Sequence, residues 1–153
     1  MYYAIVACFM FAFPLVSIAI DATHEVAAIF PMLVGKWFVF WSVGVRLVLA
    51  GLRQVIQPSY TARVILGLKG DVPLLLVREL GFANLALGLV ASMSLMFAPW
   101  VVGLALAGGV FYGLAGANHV LQPHRNPLET VAMVSDLFVA GVLLAVCGAT
   151  GFS

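Results

Sequence analysis

The sequence predicts an all-α membrane protein, a single domain over residues 1–153 built as a bundle of four or five transmembrane helices. Two observations carry this prediction. Hydrophobic residues make up 64% of the chain and charged residues 8%, with a mean hydropathy of +1.15, whereas a soluble domain carries about 25% charged residues. In addition, five apolar runs approach the length of roughly 20 residues that a helix needs to cross the hydrocarbon.

The predicted spans are residues 2–20, 37–56, 74–97, 100–121 and 130–150. The first run lacks the basic residues that begin a secretory signal, so we interpret it as a retained span. If it lay flat on the membrane surface instead, four spans would remain and the N-terminus would move to the other side.

The two connections that join the first three spans are longer than turns and contain candidate helices. Residues 21–35 hold a polar group and then an apolar stretch broken by Pro31, which predicts either an interfacial helix or an early start of the second span. Residues 61–69, preceded by the candidate cap Ser59 and closed by Gly70, predict a short amphipathic helix on the membrane.

The remaining connections are predicted as turns. Ala98-Pro99-Trp100 is typical of a tight turn at the interface, because proline ends a helix and tryptophan favours the headgroup region. Residues 122–127 form a polar loop, after which Glu129 opens the last helix, where a carboxylate favours the dipole.

Loop cations predict the orientation. With five spans, Arg53, Arg63, Lys69 and Arg125 fall on one side of the membrane and Lys36 on the other. The positive-inside rule places the richer side in the cytoplasm. We therefore expect a bacterial inner-membrane protein with a cytoplasmic N-terminus.

Ionisable side chains within the spans are the candidate functional residues, because a charge at the bilayer centre costs about 2.5–3.5 kcal/mol on insertion scales unless it finds a partner. By depth, seven polar residues converge in the cytoplasmic half of the bundle. They are Arg46, Arg53, Glu79, Asn84, Asn118, His119 and Asp136.

Three interpretations of this convergence stay open. Arg46 pairs with Glu79 or Asp136 in a purely structural network. Alternatively, Arg46 and Arg53 bind an anionic or headgroup-bearing ligand in a polar cavity. A third interpretation is a proton path through Glu79, His119 and Asp136.

A second cluster, Asp21, His24 and Glu25, has the i, i+3, i+4 spacing that puts three potential metal ligands on one helix face. It is a weak candidate, because no second group of ligands accompanies it, and no bound metal is predicted. Cys8 and Cys147 lie in apolar runs, where thiols behave as small hydrophobes.

Small residues predict close helix contacts. Gly81, Asn84 and Gly88 share one face of the third span. Gly109 and Gly113 on the fourth span suit either an intrachain contact or a dimer contact, and the short turn to the third span favours the intrachain one.

The second and third spans resemble small bacterial membrane proteins of the broad DoxX-like kind. The residues concerned are Lys36-Trp-Phe, Gly44-x-Arg46 and Gly51, then Arg78-Glu79-x-Gly81-Phe82-x-Asn84-x-x-x-Gly88. The resemblance implies a four-helix bundle and permits an accessory role in quinone-linked redox complexes. It implies no catalytic residue.

The sequence contains no common catalytic motif, and its charges nearly cancel, which removes any basic face for nucleic acid. The first functional hypothesis is therefore an accessory or scaffold subunit of a membrane complex, or a homo-oligomer, in contact with membrane lipids. The alternatives are a lipid or small-anion binding or transport protein with a cytoplasm-facing pocket, and a membrane-embedded enzyme of lipid or quinone chemistry. No cofactor is predicted, although the last two alternatives involve a bound lipid or quinone.

Overall fold

The computed structural model describes residues 2–23 and 30–150, and in these ranges every regular element is helical. Helices long and apolar enough to span a membrane are α1 (Tyr2–Asp21), α2 (Phe30–Ile56), α4 (Pro73–Leu95), α5 (Trp100–Leu121) and α6 (Pro127–Thr150). A short helix, α3 (Tyr60–Ile65), lies in the connection between α2 and α4. The predicted membrane helix bundle is confirmed, with five candidate spans in the described residues.

Two helices extend several residues further toward the N-terminus than predicted, and Pro127 occupies the first position of α6, where its missing N–H is not needed. Helix α2 already covers Phe30, the first described residue after 24–29, and includes Pro31, so the stretch before Lys36 is an early start of the second span. Helix α6 starts at Pro127, not at residue 130. Asn126 caps α6 by accepting the N–H groups of Leu128 and Glu129, while Glu129 accepts the N–H of Asn126, a reciprocal capping box.

Helices α2 and α4 approach closely along a seam of small residues. A Cβ added at Gly51 would lie 2.7 Å from the carbonyl oxygen of Gly81, and one at Gly88 would lie 2.7 Å from the backbone nitrogen of Val48. Because glycine has no Cβ, the two backbones can touch, as in other membrane helix pairs. The glycines of the third span therefore have the packing role that the sequence predicted.

The glycines of α5 also make an intrachain contact, but their partner is α6, not α4. A Cβ at Gly109 would meet Leu144, one at Gly113 would approach Ala140, and one at Gly116 would collide with Leu137. Helix α4 is joined to α5 by the short turn, yet it packs mainly against α2. A short connection keeps two helices adjacent, whereas side-chain volume decides which faces come into contact.

Wide, π-helical turns in α1 (Cys8–Ala12) and α2 (Val39–Val45) link the helices through freed carbonyls. In α1 the N–H of Phe13 bonds the carbonyl of Cys8, and Pro14, five residues after Phe9, has no N–H to offer. The carbonyl of Phe9 accepts the Ser42 hydroxyl of α2 instead, at 3.0 Å. Such wide turns are frequent at functional sites, and Arg46 follows the one in α2 directly.

The helix in the connection between α2 and α4 is shorter than the sequence predicted. Helix α3 ends at Ile65, and Gly67 and Gly70 follow with φ values of +64° and +86°, a conformation that side chains with a Cβ rarely adopt. The Ser59 side chain makes no capping bond. Thr61 is buried, and Asn126 donates to the carbonyl of Ile65 at 2.7 Å, so α3 is tied to the start of α6.

A polar cavity at one end of the bundle

Antiparallel helices give the bundle two ends. The linker end holds Tyr2, helix α3 and the connection between α5 and α6, whereas the far end holds Asp21, Lys36 and the connection between α4 and α5. A cavity of about 390 Å³ lies at the linker end. Its wall receives side chains from every span and from α3, and this volume lies within the range of small-ligand sites in proteins.

Apolar side chains form much of the wall, including Leu47, Leu49, Leu80 and Phe111. The polar side chains that reach the cavity are fewer and come from different helices. They are Tyr2, Arg46, Arg53, Gln54, Tyr60, Thr61, Asn84, Tyr112, His119 and Asp136. A mainly apolar wall with a few convergent polar groups is the usual composition of a small-molecule site.

Arg46 is held deep in the cavity by two side chains on neighbouring helices, Tyr112 of α5 and Asp136 of α6. One guanidinium nitrogen, Nη1, donates to the Tyr112 hydroxyl at 3.4 Å, and the Tyr112 hydroxyl in turn donates to the carbonyl of Ser42 in the wide turn of α2. The other, Nη2, lies 3.7 Å from Asp136 Oδ1, which is an ion-pair distance but longer than a hydrogen bond. Arg46 is therefore oriented by Tyr112 and only loosely paired with Asp136.

Arg53 lies seven residues beyond Arg46, about 10 Å further along the same helix. Its guanidinium carbon is 4.1 Å from the centre of the Tyr60 ring, a cation–π contact with α3. Among the described residues Arg53 makes no ion pair, and its Nε is buried without a hydrogen-bond partner. Arg53 is thus a positive charge in the cavity wall that has no countercharge within the described part of the chain.

Asn84 and Gln54 meet across the seam between α4 and α2. The Asn84 amide nitrogen donates to Gln54 Oε1 at 2.7 Å, which the close backbone approach at Gly51 and Gly81 permits. The other end of the amide, Oδ1, has no partner among the described residues although Asn84 is only 4% exposed. His119 Nδ1 and Asp136 Oδ1 are also buried without a hydrogen bond in that part of the chain.

Buried polar atoms in proteins are nearly always hydrogen-bonded, since an unpaired one costs about 1–3 kcal/mol. Four such atoms belong to residues that line this one cavity: Arg53 Nε, Asn84 Oδ1, His119 Nδ1 and Asp136 Oδ1. The arrangement can accept a polar ligand that supplies the missing partners.

The structure brings five of the seven sequence-predicted site residues to the cavity wall and leaves two outside it. Arg46, Arg53, Asn84, His119 and Asp136 line the cavity. Glu79 and Asn118 are exposed and are not among its lining residues. Arg46 is accordingly close to Asp136 and not to Glu79.

Sequence reasoning missed the residues that orient the two arginines. Tyr112 lies in a run of small and apolar residues, and Tyr60 lies in the short linker helix, so neither carries a signal by charge. Gln54 adjoins Arg53 in the sequence, and its polar character near the end of a span was the one available signal.

Two of the three residues of the candidate metal cluster, His24 and Glu25, lie outside the described residues. Its third member, Asp21, accepts hydrogen bonds from Lys36 Nζ at 2.6 Å and from Trp37 Nε1 at 3.0 Å. Within residues 2–23 and 30–150 no group of three His, Cys, Asp or Glu side chains is arranged for a metal ion. The weak metal candidate of Asp21, His24 and Glu25 is therefore not tested, and no bound metal is predicted.

The fold and the cavity define a small membrane-type helix-bundle protein. A family model matches residues 1–149, and the chain belongs to the family that this model describes, DUF6790, a family of unknown function. The comparison gives no DoxX-like match, so that resemblance is not confirmed and stays a prediction. Comparison with curated proteins and with solved structures gives no significant match.

Proposed function

We propose that this protein is a membrane-embedded binding protein for a small amphiphilic anion, which it holds in the cavity at the linker end. The observation that carries the proposal is Arg53, a positive charge in the cavity wall with no countercharge among the described residues. A charge kept in an apolar wall is costly unless a partner is supplied. An anionic ligand would supply it.

The composition of the wall supports an amphiphile over an inorganic ion. Leucine and phenylalanine side chains offer an apolar surface beside the two arginines. A hydrocarbon segment of the ligand would remove this surface from water, at roughly 25 cal/mol for each Å² buried. The charged part of the same ligand would meet Arg53.

The competing interpretations fit the geometry less well. A purely structural network would place Arg46 in a bidentate pair with a carboxylate in a dry core, but its distance to Asp136 is 3.7 Å and both residues line an open volume. An enzyme of lipid or quinone chemistry would have to use His119 or Asp136, since Glu79 lies outside the cavity. The accessory or scaffold role stays a prediction.

We further propose that the linker end faces the cytoplasm and that the membrane is a bacterial inner membrane. The cations Arg53, Arg63, Lys69 and Arg125 lie at the linker end, whereas Lys36 lies at the far end. This distribution supports a cytoplasmic linker end by the positive-inside rule. The proposed ligand would then reach the cavity from the cytoplasm or from the inner leaflet.

Native mass spectrometry of the delipidated protein in a non-ionic detergent tests the binding proposal. The probe is an equimolar mixture of phosphatidylglycerol and phosphatidylcholine with identical acyl chains, so that only the charge and the headgroup differ. We expect the wild type to retain phosphatidylglycerol in at least about tenfold excess, the factor that about 1.4 kcal/mol provides. Arg53→Gln should abolish the preference.

Arg78→Gln is the matched control. Arg78 is exposed, lies near the same end of the bundle in the first turns of α4, and does not line the cavity. It should keep the wild-type preference. If Arg53→Gln and Arg78→Gln lower the preference equally, the selectivity belongs to surface charge and the proposed pocket is wrong.

A further inference from the structure

The unpartnered atoms of the cavity differ in what they require from a ligand. Arg53 Nε is a donor and needs an acceptor, whereas Asn84 Oδ1 and Asp136 Oδ1 are acceptors and need donors. Asn84 and Asp136 are 4% and 5% exposed, so bulk water reaches neither side chain freely. A simple anion, which has acceptors only, would satisfy Arg53 and leave both oxygens without a hydrogen-bond donor, Asp136 Oδ1 keeping only its 3.7 Å ion pair with Arg46.

The formal charges in the wall limit the charge of the ligand. Arg46 and Asp136 lie within ion-pair distance of each other, and Arg53 adds one positive charge that no described carboxylate offsets. A ligand with a single negative charge would neutralise the net positive charge of these three side chains. A phosphate monoester brings a charge of about −1.5 to −2 near neutral pH and would overshoot it.

From these requirements we infer that the ligand is a polyol phosphodiester, a headgroup with one negative charge and free hydroxyl groups. The inference rests on the proposed function and names its substrate class. The phosphodiester accepts from Arg53, and the hydroxyl groups donate to Asn84 Oδ1 and Asp136 Oδ1. The same chemistry occurs in membrane lipids and in their water-soluble deacylated headgroups.

The position of Arg53 favours a phosphodiester over a carboxylate. Arg53 lies in the last turn of α2, which ends at Ile56. Arginine side chains near the ends of membrane helices extend to the headgroup region. That is the depth of lipid phosphates, while the leucine side chains nearer the middle of α2 lie at the depth of acyl chains.

Matched lipids test the inference without altering the protein. Phosphatidylmethanol is a phosphodiester with the same single charge as phosphatidylglycerol but without hydroxyl groups. Titrated separately into the delipidated wild type and followed by native mass spectrometry, phosphatidylglycerol should bind about tenfold more tightly, because hydrogen bonds to the two buried oxygens are together worth a factor of this order. Phosphatidylcholine of the same chain length gives the baseline.

Two variants show which residue is responsible for which part of the lipid preference. Asn84→Leu removes one of the two acceptors and should reduce the preference for phosphatidylglycerol over phosphatidylmethanol to about threefold or less. Arg53→Gln should weaken both anionic lipids by a similar factor and leave their ratio unchanged. Opposite behaviour of the two variants would contradict the assignment of donors and acceptors.

The outcomes separate this inference from the proposed function. Equal binding of phosphatidylglycerol and phosphatidylmethanol, both above phosphatidylcholine, would overturn the hydroxyl assignment and mean that water molecules alone satisfy the two oxygens; the anion pocket would stand. Equal binding of all three lipids would overturn both proposals.

Glycerophosphoglycerol, the deacylated headgroup, identifies the source of the ligand. We expect it not to displace phosphatidylglycerol at about hundredfold excess, because it lacks the acyl chains that cover the apolar wall. Displacement at equal concentration would support the headgroup chemistry and identify a water-soluble ligand.

Discussion

At the far end of the bundle, the Asp21 carboxylate accepts hydrogen bonds from Lys36 at 2.6 Å and from Trp37 at 3.0 Å, and these bonds join α1 to α2. At the linker end, Arg46 and Asp136 come no closer than 3.7 Å, and Arg53 pairs with no described carboxylate. Both ends carry opposite charges on neighbouring helices. The difference is that the charges of the far end pair directly with each other, whereas those of the cavity at the linker end surround an open volume; the exposed Arg63–Asp71 pair of the linker lies outside that cavity.

This contrast separates a clamp from a pocket. In a clamp, short hydrogen bonds restrict the helices and contribute to stability without any ligand. In a pocket, the polar atoms are positioned by other contacts, here by Tyr112, Tyr60 and Gln54, so that their remaining bonding capacity is free. Variants at the two ends should therefore affect different measurements.

The largest expected effect comes from the seam behind the pocket. Gly51→Ala places a Cβ against the Gly81 carbonyl at 2.7 Å and the Leu85 backbone nitrogen at 2.8 Å, atoms that cannot move without separating α2 from α4. We expect the free energy of unfolding, measured by denaturation in mixed micelles, to fall by about 3 kcal/mol, the upper range for overpacking.

Gly103→Ala is the control for the seam, because a Cβ at Gly103 meets no atom within 4 Å. Alanine is the better helix former by about 1 kcal/mol, so this variant should be neutral or slightly stabilising. An equal loss of stability in both variants would show that close backbone contact is not what the seam requires.

A smaller effect is expected at the clamp. Asp21→Ala leaves Lys36 and the Trp37 N–H without this acceptor, and we expect the free energy of unfolding to fall by about 1–2 kcal/mol, because the charged pair is partly exposed. The preference for anionic lipid should not change. Thr23→Ala is the control, since within residues 2–23 and 30–150 the exposed Thr23 hydroxyl bonds only the local carbonyl of Ile20.

The comparison also shows what the sequence could and could not predict. Spans and their depths follow from length and apolar composition, which is why the sequence places residues as distant as Arg53, Asn84 and Asp136 at one level of the bundle, and all three line the cavity. Depth does not determine direction around a helix axis. Glu79 lies five residues from Asn84, which rotates it by about 140° and places it on the exposed side of α4.

Other features depend on tertiary contacts that no local pattern records. The wide turn over Val39–Val45 changes the helical register immediately before Arg46, and Tyr112 stabilises it from another helix. The partner of the α5 glycines was predicted from the short turn to α4, but Leu137 and Leu144 on α6 fill the space that the glycines leave. The fit of side-chain volumes decided that contact, and the sequence alone does not show which helix will lie against the glycines.

The most direct test of the account is the thermal stability of wild type and Arg53→Gln, each with and without added phosphatidylglycerol. Without lipid the two should differ by no more than about 1 kcal/mol, because Arg53→Gln loses the contact with the Tyr60 ring but no described ion pair. At hundredfold excess over its Kd, the lipid should stabilise the wild type by about 2.7 kcal/mol and raise its Tm, while Arg53→Gln should not respond. If Arg53→Gln is as unstable as Asp21→Ala without lipid and responds to lipid like the wild type, Arg53 belongs to a second clamp and the pocket account is wrong.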